Sequence, residues 1–351
     1  MNRLINLELL SKYRTQLMGI AMIWIIIFHY FPDMSGFIQS DTHIAAFVVK
    51  IIIYYLVGWG YGGVDIFLFL SGLGLYYSLS KDSGILTFYR RRMIRILPYY
   101  IPIMLVINLA MVSQGAPMAV LFFGVSTVGF WTNMFGYGGW EWYIPSIIAL
   151  YAVTPFYYRV FKWKPLLSTA AACIAGAGLS GLVIFAGLNH LVIFTSRIPV
   201  YFIGLYIGYR IAEKQFDFSY KPVKIILMFL ALITGFFCLY FFYINYPEQL
   251  QNLGLAWYPF ALITLPLLMA LCALMNRAPE REYRILNFIG SYSLVIYLVH
   301  QDIFNLFSGI LPSLSNARIL SVAVSFLLAF IIQKAVSFII SRVQVKTSKP
   351  D

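Results

Sequence analysis

Charged side chains are what this sequence has least of: Asp, Glu, Lys and Arg make up 11% of 351 residues. An ordinary soluble domain carries about 25%. A water-facing surface cannot be built from so few charges, which excludes the soluble enzyme classes together. Cysteine is nearly absent. Cys173, Cys238 and Cys272 are the only three, each inside an apolar run with no C-x-x-C pair, so neither a disulfide scaffold nor a thiolate metal or redox centre is supported. There is no G-x-S-x-G elbow, no H-E-x-x-H, no Glu-x-x-His pair, and no nucleotide-binding glycine loop of the strand-to-helix kind. Disorder fails too, because Phe, Tyr and Trp reach 18% and hydrophobic residues 61%. A polytopic, all-α membrane protein is what remains.

A spanning helix needs about 20 mostly apolar residues. Runs of that kind lie near 15–32, 62–80, 96–114, 142–160, 166–187, 194–212, 223–244, 254–275, 286–307 and 318–341, which predicts about ten transmembrane helices. Loops are short, and no linker or 20–50-residue repeat stands out, so the expectation is a single transmembrane domain over 10–342 and a short tail over 343–351. The apolar run Leu17 to Phe28 is followed by His29-Tyr30-Phe31-Pro32-Asp33 rather than by a small-residue cleavage site, so it reads as a retained span.

The formal net charge of +12 is distributed in short clusters between the apolar runs, not along one face, which argues for orientation signals and against nucleic acid. With ten spans, 21 of the 25 Lys and Arg fall on one side, leaving Lys50, Arg197, Arg318 and Lys334 elsewhere. Both termini are then cytoplasmic. The uncharged stretch near 117–135 would reverse every later cluster if it crossed the membrane, so it is expected to be re-entrant or to lie on the outer surface. Trp131, Trp140 and Trp142 crowd the outer edge of the fourth span. An interfacial aromatic belt is the default reading; a sugar-stacking rim around an outer acceptor site is the alternative.

Three constellations carry chemistry. His29 closes the first span and His300 the outer half of the ninth, at similar depth; an ionisable side chain inside a membrane usually faces a polar cavity or a partner, and imidazole suits proton transfer near neutral pH. His43 and His190 fall at loop or interface positions. At the opposite depth, Arg90, Arg91, Arg92 and Arg95 occupy six positions at the mouth of the third span. A positive-inside anchor explains them, but their uniform choice of guanidinium favours a phosphate site, and Arg92 and Arg95 share a helix face. Finally, Ser71, Gly72 and Gly74 sit mid-helix, where small residues let helices approach closely.

Together these residues resemble the acyltransferase-3 family of bacterial integral membrane acyltransferases over roughly residues 10–342. The resemblance rests on Phe28-His29, Phe67-x3-Ser71-Gly72, Arg92-x2-Arg95-x2-Pro98, Arg197-Ile-Pro-x-Tyr-Phe-Ile-Gly204 and Ser291-Tyr-Ser-x3-Tyr297-Leu-x-His300. It implies ten helices in the cytoplasmic (inner) membrane of a bacterium. It also implies a cytosolic acyl-coenzyme A donor, commonly acetyl-coenzyme A, as co-substrate, with no tightly bound cofactor and no metal. The acyl group passes to a hydroxyl of an extracytoplasmic glycan or lipid-linked sugar, as in O-acetylation of envelope polysaccharide. It implies, too, an arginine eleven positions before the catalytic histidine. That position holds Met18; Arg14 lies one helical turn earlier on the same face, about 6 Å toward the cytosol. The family's acidic residue in the fourth span is absent, with Glu141 the one carboxylate nearby.

Arg14 and His29 are about 22 Å apart along a helix, so Arg14 is grouped with the donor's phosphates and His29 with the acceptor. The expected catalytic set is His29, Arg14, His300 and Tyr297. His29 acts as general base or acyl carrier, and Tyr297 or His300 stabilises an oxyanion. Donor binding is expected from Arg91, Arg92, Arg95 and Ser71; the acceptor side from Trp142, Tyr143, Glu141 and Arg197, with outer loops 32–60 and 113–141. A transporter or flippase of an anionic or lipid-linked molecule is the alternative. It would show inverted repeats and matched broken spans, and neither is clear in the sequence.

Overall fold

The computed structural model describes residues 6–31, 44–81, 84–136, 142–214, 222–277 and 283–347, without the side chains of 44–48, 222 and 343–347. Among the described residues all regular structure is helical. After a short helix Glu8–Lys12 come α1 (Arg14–Tyr30), α2 (Ile44–Gly58), α3 (Gly63–Leu79) and α4 (Ile85–Ser113). Two short helices follow, α5 (Ala119–Val125) and α6 (Val128–Thr132), then α7 (Tyr143–Phe161), α8 (Pro165–Phe185) and α9 (Ile198–Ala212). The chain closes with α10 (Pro222–Asn245), α11 (Phe260–Met275), α12 (Arg284–Ile310) and α13 (Leu314–Thr347).

Eight helical stretches among the described residues are long and apolar enough to cross a membrane, carried by α3, α4, α7, α8, α9, α10, α12 and α13. The first and eighth expected spans are occupied by α1 and α11, which are shorter, at 17 and 16 residues. The protein is therefore a multi-pass membrane protein. Three expectations are refined. The loop expected over 32–60 contains the apolar helix α2, whose Trp59 end stacks on Phe236 of α10. The expected start of the eighth span near 254 is turn, and helix begins at Phe260. The expected tail is partly helix, since α13 runs to Thr347.

Neither helix in the stretch near 117–135 is long enough to cross a membrane. The stretch forms α5 and α6, of 7 and 5 residues, and folds back on α4, where the Tyr100 hydroxyl donates to the Gly124 carbonyl at 2.6 Å. Gly124 leaves room for the buried Asn108 amide beside it.

Two helix pairs form the centre. In the first, α3 and α9 cross so closely that a Cβ at Gly72 would collide with the Tyr201 carbonyl, and Cβ atoms at Gly204 and Gly208 with the carbonyls of Phe69 and Leu73. In the second, α1 meets α12 in the same way: Gly19 faces the Leu286 carbonyl and Gly290 the Thr15 carbonyl. Without a hydrophobic drive between helices in lipid, this backbone-to-backbone approach supplies the dispersion contacts that hold them. The α1–α12 crossing matters for function, because it sets the His29 end of α1 beside the His300 turn of α12.

Candidate active site

At the C-terminal end of α1, the His29 ring lies edge-on to the His300 ring of α12, with centroids 5.2 Å apart and planes at 65°. Both ends are pinned. The Tyr30 hydroxyl donates to the His300 carbonyl at 2.9 Å, and the Tyr30 ring stacks on Phe304 at 4.4 Å. Arg318 of α13 donates from Nε to the Tyr30 carbonyl at 2.6 Å, a cation satisfying the exposed carbonyl end of α1. That accounts structurally for one of the four cations outside the inner clusters. His300 Nδ1 lies 2.8 Å from the Tyr297 carbonyl.

The two imidazoles open onto a cavity of about 530 Å³, lined also by Tyr61, Trp142, Arg197 and Tyr297. Gln301, Asp302 and the α2 aromatics Tyr54 and Tyr55 complete one wall. Trp142 and Arg197, expected on the acceptor side, both line this cavity with the histidines. Arg197 is held by a partner that the sequence reading did not single out. Its Nε lies 3.3 Å from Asp65 Oδ2, and the two side chains are 1% and 0% exposed. Its Nη1 donates to the Ile193 carbonyl at 3.0 Å. The guanidinium lies 4.3 Å from the Trp142 ring and 4.9 Å from the Trp257 ring, within the range of a cation–π attraction. The signal was present in the sequence: Asp65 is a lone carboxylate in an apolar span, and such residues seldom lack a function or a partner.

Toward the opposite end of α1 lies a second recess, of about 150 Å³, which Arg14, Ser71, Arg92, Arg95, Tyr143 and Tyr151 help to line. Arg14 packs flat against α3, its Cζ 2.8 Å from where a Cβ on Gly74 would sit; the glycine makes room for the guanidinium. Met18 lines the same recess, so Arg14 and the position eleven before His29 serve one site. Arg92 lies 5.6 Å from the Phe88 ring and 6.0 Å from the Tyr151 ring. Neither Arg14 nor Arg92 has a hydrogen-bond partner at Nε. Three guanidinium groups meet here, and the recess lining contains no carboxylate. Such a cluster is strongly disposed toward an anion.

Two expected site residues fall elsewhere. Arg91, expected with the donor group, is exposed and not part of the recess lining: it points about 100° around α4 from the buried Arg92, although it is only four positions from Arg95. Tyr143, expected on the acceptor side, lines the arginine recess instead, since adjacent helix positions diverge by about 100° and Trp142 takes the histidine cavity. Glu141, Trp140 and His43 lie outside the described residues. Ser71 is in the arginine recess, where its hydroxyl interacts with the Tyr143 and Tyr151 phenols.

Tyr297 lines both spaces. Its ring packs edge-on to Tyr143 at 5.1 Å and to Phe67 at 6.4 Å. Tyr297, packed against Tyr143 and Phe67, therefore stands between the arginines and the histidines. No group of His, Cys, Asp and Glu among the described residues is arranged to hold a metal ion.

No curated protein and no solved structure matches the chain. A family model described as an acyltransferase domain matches residues 16–342, beginning two residues after Arg14. With that match covering nearly the whole sequence, and with the helical membrane fold and paired recesses in place, the chain belongs to the acyltransferase-3 family of membrane acyltransferases.

Proposed function

We propose that the protein moves an acyl group, acetyl above others, from cytosolic acyl-coenzyme A to a hydroxyl of an extracytoplasmic glycan or lipid-linked sugar, working from the cytoplasmic membrane of a bacterium. The observation that carries this reading is the position of Tyr297 between an arginine recess and a histidine cavity. The clustered cations put the arginine recess on the cytoplasmic side with both termini. There Arg14, Arg92 and Arg95 hold the donor's phosphates as charge-assisted forks, with Ser71 beside them. The uncharged thioester arm passes Tyr297 toward His29.

The acceptor hydroxyl binds in the outer cavity, where Trp142 and Arg197 form part of the wall and the aromatic side chains offer faces to a sugar ring. His29 takes the hydroxyl proton as the oxygen attacks the thioester carbonyl carbon. The tetrahedral oxyanion collapses, the carbon–sulfur bond breaks, and the coenzyme A sulfur takes the proton back from His29. Tyr297 borders both spaces, and its hydroxyl stabilises the oxyanion.

The test is acyl transfer by purified protein in vesicles supplied with labelled acetyl-coenzyme A and candidate glycans. Coenzyme A release with label on the acceptor is expected. His29→Ala, at unchanged helicity and elution volume, is expected to lose at least a hundredfold in rate. Full activity in that variant would overturn the assignment. Movement of acceptor across the membrane without coenzyme A release would favour a carrier instead.

A further inference from the structure

His300 is 2% exposed, and its Nε2 has no hydrogen-bond partner. A buried polar atom left unpaired costs about 1–3 kcal/mol, so it invites a functional explanation. The other ring nitrogen limits what Nε2 can do. Nδ1 lies 2.8 Å from the Tyr297 carbonyl, and a carbonyl oxygen only accepts. In the neutral ring the hydrogen therefore sits on Nδ1, and Nε2 carries a lone pair. That leaves His300 no spare N–H for an oxyanion, which removes one of the two roles its position suggested.

A lone pair needs a donor, and His29 is the titratable ring beside it. An imidazole nitrogen lies about 1.1 Å from its ring centre, so two nitrogens turned toward each other across the 5.2 Å separation stand about 3 Å apart, a hydrogen-bond length. The rings now meet at 65°, and a turn of His29 about its side-chain bonds completes the alignment.

We infer that His300 is a positioning residue for His29: its Nε2 accepts the N–H of His29, fixing one tautomer so that the other His29 nitrogen presents its lone pair to the acceptor hydroxyl. The chain runs from His29 to His300 to the Tyr297 carbonyl, with a neutral imidazole and a backbone group doing what a carboxylate does behind the histidine of a serine-hydrolase triad. The inference rests on the reading of His29 as the base. It also gives the short Tyr297–His300 segment two tasks. The Tyr297 side chain borders both recesses, while its carbonyl orients the histidine pair.

Only four histidines are present, so ¹⁵N NMR of histidine-labelled protein in lipid resolves each ring once His43 and His190 are assigned by substitution. Wild-type His29 is expected in one neutral tautomer, and in His300→Ala in a mixture of two. The anchoring bond from Tyr30 goes to the His300 backbone and survives either substitution. In His300→Ala, kcat is expected to fall about a hundredfold with the donor KM unchanged, and His300→Gln, whose amide oxygen can stand near Nε2, to recover at least tenfold of that loss. An unchanged His29 tautomer in His300→Ala, or His300→Gln as slow as His300→Ala, would overturn the inference. The NMR outcome is independent of turnover. Activity retained in His29→Ala would defeat the base assignment while leaving the tautomer result readable.

Discussion

Replacing Asp65 tests the electrostatics of the histidine cavity most directly. Asp65 and Arg197 are 0% and 1% exposed and 3.3 Å apart, and Arg197 keeps the Ile193 carbonyl and two indole faces besides the carboxylate. Asp65→Leu leaves a buried guanidinium without its counter-ion. Breaking one side of such a pair costs about 3–5 kcal/mol, whereas replacing both partners with apolar groups of similar volume is near neutral or even stabilising. Asp65→Leu with Arg197→Met is therefore expected to be more stable than Asp65→Leu alone by at least about 2 kcal/mol. Asp65→Asn keeps the shape without the charge and falls between wild type and Asp65→Leu. The assay is reversible unfolding by SDS in mixed micelles, read by tryptophan fluorescence, since Trp142 and Trp257 flank the guanidinium. If Asp65→Leu lies within 1 kcal/mol of wild type, or the double variant is less stable than both singles together imply, the pair is not an ion pair in the sense argued.

Gly74→Val should force the Arg14 guanidinium off α3, since a Cβ at position 74 would stand 2.8 Å from its Cζ, and raise the acyl-donor KM about tenfold, or about 1.4 kcal/mol, without a comparable loss of kcat in steady-state kinetics. Gly290→Ala drives a Cβ into the Thr15 carbonyl, a backbone atom that cannot swing away; it should cost about 1–3 kcal/mol in the same unfolding assay. Gly181→Ala, with nothing within 4 Å of its Cβ, serves as the neutral control. Equal effects at 290 and 181 would refute the close α1–α12 crossing.

The class of this protein was legible in the sequence because lipid tolerates so few charges that composition alone excludes a solvated surface. Apolar runs located the helices, and cation clusters kept residues 117–135 from being read as a span. His29 and His300 stood out because an imidazole is costly in hydrocarbon, Arg92 and Arg95 because guanidinium was chosen throughout their cluster, and Arg14 through the family resemblance. Pairing and facing were not legible. In a soluble helix the apolar stripe marks the buried side, but a helix apolar all round looks alike whether a face meets lipid or another helix. Sequence therefore could not say that Arg91 turns outward, that Tyr143 enters the arginine recess beside Trp142's cavity, or that Asp65 meets Arg197 from 132 residues away. The pairing of Asp65 with Arg197 follows from the glycine crossing that fixes α3 against α9. Backbone contacts of that kind form only when the whole bundle closes.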